Sequence, residues 1–178
     1  GSKGLQANQL PAVLSLDEDK VVLKFHVPKS SPQMEAFEEG SEILICFNGP
    51  EAYISPNWYP TKAETHKEVP TWNFTTVQVR GKPKLHDDKD FIYQQINALT
   101  NQMEVTEPQP WKVTDAPEGY INAMIKALIG LEVPIEKIEG KMKVNQNQPQ
   151  KNQDGVKEAL EKKGEVVMAK LVANKGYK

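Results

Sequence analysis

The sequence predicts an α+β fold, a small antiparallel β-barrel with helices packed on its outside. Three observations carry this. The first half alternates apolar and polar residues at period two, as half-buried strands do. The second half contains apolar residues at helical spacing behind capping signals. No glycine-rich turn joins a strand to a helix, so neither a dinucleotide fingerprint nor a phosphate loop is present, and the elements do not follow a regular βαβ order.

Taken in order, Leu10, Ala12, Leu14 and Leu16 alternate with more polar neighbours, and Asp17-Glu18-Asp19 reads as a turn. Val21, Leu23 and Phe25 alternate again, which predicts a hairpin with Val22, Lys24 and His26 on the opposite face from Phe25. Pro28 to Pro32 ends that strand, and Pro32 to Phe37 reads as a short helix. Ile43 to Phe47 is apolar on both faces, as in a central strand covered on both sides. Asn73 to Gly81 is a further strand, with Thr75, Val77 and Val79 on one face.

Asp87-Asp88 caps a helix carrying Phe91, Ile92, Ile96, Leu99 and Met103. Glu107 to Pro110 is a proline-containing linker. Asp115-Ala116-Pro117-Glu118 reads as a capping box for a helix with Tyr120, Ile121, Met124, Ile125, Leu128 and Ile129 on one stripe, stopping at Gly130. Leu131 to Val144 reads as one long strand whose parity changes near Glu136-Lys137, which predicts a β-bulge there. Val156, Ala159 and Leu160, then Val167, Leu171 and Val172, predict two closing helices. The expected division is 4–147 for the barrel and 148–178 for a helical extension packed on it.

The 178 residues suit one domain, and a formal net charge of −2 supplies no basic field for nucleic acid or an anionic membrane. With no recognisable helix-turn-helix, this argues against strong direct DNA binding. No apolar run is long enough to span a bilayer, and no charged-then-apolar leader is read at the start. The single cysteine, Cys46, cannot form an internal disulfide, which points to the reducing cytoplasm. Gly1-Ser2-Lys3 has no initiator methionine, so the native start is expected to be missing.

Side-chain chemistry narrows the site. Cys46 and Ser55 lack the context of an activated nucleophile. His26, His66 and His86 have no paired ligand spacing, and the acidic pairs sit in turn or cap contexts. The lysines from Lys151 onward alternate with glutamates like a solvated helix face. Two stretches stand out. Gly49 to Phe74 holds Tyr53, Trp58, Tyr59 and Trp72 among prolines, hydroxyls and amides. It fits either aromatic turns capping a sheet or a rigid surface for a flat ligand. Lys141 to Asn147 ends a strand with lysine and then amides, which fits either a phosphate or heterocycle edge, or a hydrated strand end.

Three segments resemble one family. Gly49-Pro50-Glu51-Ala52-Tyr53-Ile54-Ser55-Pro56-Asn57-Trp58-Tyr59 is similar to its GPxAYISPxWY segment, Val69 to Phe74 to VPTWNY, and Ile138 to Asn147 to IEGKxKLSQN. The chain is on this basis similar to the PaiB-like FMN-binding negative transcriptional regulators, from about Gly4 to about Leu160. The resemblance implies a split β-barrel of the flavin-reductase and pyridoxamine-oxidase type with peripheral helices, a homodimer, and FMN in a groove between subunits, outside the barrel. By motif it implies His26, Lys29, Tyr53, Ser55, Trp58, Tyr59, Thr71, Trp72, Asn73, Lys143, Gln146 and Asn147 as cofactor-binding residues. The family's histidine before Leu-Pro is Gln9 here and an arginine is replaced by Lys29, which keeps the charge but loses bidentate phosphate recognition. The implied role is a flavin- or ligand-sensing regulator. Its rivals are an FMN-dependent oxidoreductase and a cofactor-free dimeric interaction domain.

Overall fold

The computed structural model describes residues 4–17, 20–38 and 40–176. In chain order the elements are β1 (Val13–Asp17), β2 (Lys20–Pro28), α1 (Met34–Glu38), β3 (Ile43–Ile54), α2 (Thr61–Thr65), β4 (Thr71–Gly81), β5 (Lys84–His86), α3 (Lys89–Glu104), α4 (Glu118–Lys126), β6 (Leu128–Pro134), β7 (Lys137–Lys143), α5 (Gln150–Lys162) and α6 (Val166–Asn174). Single 3-10 turns cover Pro56–Trp58 and Val113–Asp115. The expected α+β class, with antiparallel strands and accompanying helices, is borne out. One sheet runs β1-β2-β6-β5 and the other β3-β4-β7.

The chain forms two compact units, Gly1–Leu44 with Val79–Lys137, and Ile45–Gln78 with Ile138–Lys178. In the first, the expected hairpin is present. β1 and β2 pair antiparallel from Val13↔Lys24 to Asp17↔Lys20, and Glu18 and Asp19 of its turn lie outside the described residues. Lys24 forms an ion pair with Asp17 and holds its carboxyl below the usual range. Leu23, Phe25 and Val27 are buried on one face of β2, and β6 contributes Leu131 and Val133 to the same core. Fully burying each such side chain contributes about 1.5–3 kcal/mol.

The other face of β2 lies under α3. Asp88 caps this helix as expected, its Oδ1 accepting from Phe91 N at 2.7 Å. The helix approaches β6 at Gly130, where an added Cβ would fall 2.5 Å from the Phe91 ring. Phe91 in turn stacks on His86, with ring centroids 3.9 Å apart.

Four expectations are corrected. The helix read as far as Gly130 ends at Lys126, and Leu128 to Gly130 belong to β6, where they pair with His26 to Pro28. Pairing with β2 satisfies more backbone than another helical turn would, so sheet register overrides the helical stripe. Asp115 closes the preceding 3-10 turn by accepting from Lys112 N at 2.9 Å, and α4 begins after Pro117 with no side-chain cap. The expected long strand with a bulge is instead two strands, β6 and β7, in different sheets. Ile135 N bonds Val21 O and Glu136 N bonds Arg80 O, each at 3.0 Å, where the chain leaves one sheet for the other. Finally, Ile43 to Phe47 is not covered on both faces: Leu44 is 48% and Phe47 42% exposed, and Cys46 is exposed too. β3 is an outer strand of its sheet, so this chain supplies it with less packing than a central position would.

The second unit has its own core. Ala52, Ile54, Tyr59 and Val144 pack against Val156 and Leu160 of α5 and Met168, Ala169, Leu171 and Val172 of α6.

Candidate functional site

Local sequence builds the turn that follows β3. Ser55 Oγ accepts from Asn57 N at 3.2 Å and Pro56 opens the 3-10 turn, so Trp58 N and Tyr59 N reach back to Ser55 O and Pro56 O. Ser55 thus organises the turn. The turn sends Tyr59 into the core and leaves Trp58 half-buried against it. One step later Thr61 N donates to Asn152 Oδ1 at 3.3 Å, and Asn152 Nδ2 returns a bond to Thr61 Oγ1 at 2.8 Å, fastening the segment to α5.

Beneath the turn runs a buried polar chain. Asn73 Nδ2 donates to Asn145 Oδ1, and Asn145 Nδ2 donates to Tyr59 Oη at 2.7 Å. Gln153 Nε2 donates to Asn145 O at 3.2 Å and Gln148 O at 2.8 Å. Asn145 adopts a left-handed φ of 59°, which an asparagine tolerates far better than most residues. Asn73 and Tyr59 therefore hold the site together from below.

Burial pushes the Tyr59 phenol above its ordinary value of 10.0; the bond from Asn145 pulls it down and nearby Glu68 raises it. The unfolded chain therefore releases this proton at lower pH than the folded one. The associated stability is complete below about pH 10 and falls as pH rises through the higher folded value. Wild type is expected to lose stability more steeply than Tyr59→Phe as pH is raised above about 10, measured by urea unfolding. Equal slopes would count against a shifted Tyr59.

Above this chain the exposed aromatics converge. Tyr53 and Trp72 meet edge to face at 6.0 Å and 73°, and each is about half exposed. With Trp58 they line a cleft of about 370 Å³. Its remaining polar lining is Glu51 together with Lys163 and Glu165 from the turn between α5 and α6. Lys163 Nζ lies 5.3 Å over the Trp58 ring, a cation–π contact. One residue before Trp72, Thr71 Oγ1 accepts from Lys143 Nζ at the end of β7. Gln146 folds back on its own turn, bonding Val144 N and Met142 O, and Asn147 is exposed beside it.

The two remaining candidates belong to the first unit. His26 Nδ1 lies 2.6 Å from Gln95 Oε1 under α3, and Lys29 pairs with Asp87. Among the described residues, no three His, Cys, Asp or Glu side chains are grouped to hold a metal ion. No described helix is long and apolar enough to cross a membrane.

Residues 1–137 match the family described as "Putative FMN-binding domain". The chain belongs to this family. An uncharacterised protein of Aspergillus fumigatus is 34% identical, with 97% of this chain and 83% of that protein covered. The protein named protease synthase and sporulation protein PAI 2 of Bacillus subtilis is 27% identical, over 87% of this chain and 72% of its own length. A solved structure, the flavocytochrome Anf3 of Azotobacter vinelandii, is similar at a TM-score of 0.48 and 13% identity, covering 75% of this chain and 54% of that one.

The FMN-binding family's cofactor brings a dianionic phosphate, a flexible polyol and a flat ring with a polar edge. The donor set in the second unit fits it. The Lys143 ammonium and Thr71 hydroxyl stand together on the surface, where an anion gains charge-assisted hydrogen bonds. Trp72, with Tyr53, offers aromatic contact area. Lys163 and Glu165 were not legible as site residues, because their stretch reads as a solvated lysine–glutamate helix face.

Proposed function

We propose that this member of the FMN-binding family holds FMN at the aromatic cleft of its second unit and serves as a flavin-responsive regulatory protein. The observation that carries the reading is the cleft lined by Tyr53, Trp58 and Trp72, in which the Tyr53 and Trp72 rings meet edge to face. Lys143 and Thr71 bind the phosphate, while Tyr53 and Trp72 hold the ring. When bound, FMN supplies a redox-active ring with its own absorbance. The regulatory side draws support from the Bacillus subtilis relative, whose name refers to protease synthase and sporulation.

Titration of the purified protein with FMN, followed by quenching of flavin fluorescence, tests this directly. Saturable uptake is expected, and Lys143→Ala is expected to weaken it about tenfold, or about 1.4 kcal/mol, by removing one charge-assisted contact. A protein that takes up no added FMN would sink the proposal. Unchanged affinity in Lys143→Ala would remove Lys143 from the phosphate site.

A further inference from the structure

We infer that the turn between α5 and α6 reads the polar edge of the bound ring, Lys163 donating to a ring carbonyl and Glu165 accepting from the imide N–H between two carbonyls. This rests on the flavin reading above and adds a part of the site that lies beyond residues 1–137, the segment matching the family.

Both side chains line the cleft with Tyr53, Trp58 and Trp72. The backbone that carries them is pinned. Lys163 N bonds Ala159 O and Leu160 O, Gly164 N bonds Glu161 O, and Glu165 N bonds Leu160 O at 2.9 Å. Gly164 takes a φ of +81°, the left-handed value that lets α5 end and α6 begin with only three residues between them. Leu160 is fully buried, so the turn is anchored in the core of its unit. A pinned turn has little backbone entropy left to lose on binding.

The chemistry of the pair is complementary to one kind of edge. An ammonium only donates and a carboxylate only accepts. The pyrimidine edge of a flavin runs carbonyl, N–H, carbonyl: acceptor, donor, acceptor. Lys163 rests over the face of Trp58 with no carboxylate partner among the described residues, so its N–H donors remain available to a ligand. Lys143 and Thr71 already account for the phosphate, which leaves the second cation for the ring.

The full chain is titrated with FMN, riboflavin and 3-methylriboflavin, in wild type and in Lys143→Ala, Lys163→Met and Glu165→Ala, with thermal unfolding as the folding control. Lys163→Met is expected to weaken FMN and riboflavin alike, by about tenfold. Lys143→Ala should weaken FMN only, since riboflavin has no phosphate. Methylation of the imide nitrogen should cost wild type about tenfold, and that penalty should vanish in Glu165→Ala. Unchanged affinity in Lys163→Met, a loss confined to FMN, or a methylation penalty that survives in Glu165→Ala would each overturn the assignment. Wild type binding neither flavin overturns the parent reading and this one together; wild type binding both, with the α5–α6 variants unaltered, overturns this one alone.

Discussion

Asn145→Ala is expected to destabilise the second unit by about 3–4 kcal/mol, a large share of a typical domain's stability. The side chain is 5% exposed and joins two buried groups, accepting from Asn73 and donating to Tyr59. Its removal leaves the Asn73 amide N–H and the Tyr59 hydroxyl without partners, at about 1–3 kcal/mol each when no water enters. Asn73 tolerates this poorly, because its Oδ1 is already buried without a partner among the described residues. The φ of 59° adds about 1 kcal/mol, since alanine dislikes the left-handed region. Asn145→Gly separates the terms, removing the same two bonds while tolerating that backbone. It should recover about 1 kcal/mol of the loss and no more. Urea unfolding followed by tryptophan fluorescence reads both variants, and an Asn145→Ala midpoint near wild type would refute the network's importance. Ligand affinity should fall with stability, because Tyr59 fixes the turn bearing Trp58 and Asn73 fixes the start of the strand bearing Trp72.

Local signals made much of this molecule legible from sequence. The alternation in β2, the Asp88 cap of α3 and the apolar stripe of α5 each act within a few residues and survive in the fold. The misreadings share one cause, which is that partner strands are not local. Gly130 after Leu128 and Ile129 looks like a helix stop, yet pairing with His26 claims it for a strand. A parity change at Glu136 is the same one-dimensional signal whether a strand bulges or changes sheet, and only the partners decide. Ile43 to Phe47 is apolar at every position, so periodicity says nothing about which positions are covered.

The site divides the same way. Tyr53, Trp58 and Trp72 were visible because aromatic residues cluster in one stretch, and the cleft gathers all three. Tyr59, Asn73, Ser55 and Gln146 carry internal hydrogen bonds that a motif cannot distinguish from ligand contacts. Lys163 and Glu165 lie far along the chain, and only the packing of α5 and α6 on the β3 end brings them to the cleft.

That packing makes Gly155→Ala the second large expected effect, a loss of about 2 kcal/mol where helix propensity alone predicts a gain of about 1. Gly155 lies inside α5, where glycine is normally a poor choice. An added Cβ would fall 2.3 Å from Trp58 O and 3.1 Å from Pro60 Cδ. The first obstacle is backbone, so it cannot yield by changing rotamer. That carbonyl belongs to a turn closed by Ser55 and followed at once by Thr61, which is bonded to Asn152 of the same helix. Relief therefore requires α5 and the turn to separate, which opens the contact with Leu160 and displaces Trp58 from the cleft. Urea unfolding should show the alanine variant to be the less stable, and FMN titration should show weaker uptake. A stabilised variant with intact affinity would mean that the turn has slack and that propensity decides. Gly155→Val discriminates further: its larger side chain deepens the clash while valine gains little in a helix, so it should fall well below alanine if contact sets the sign.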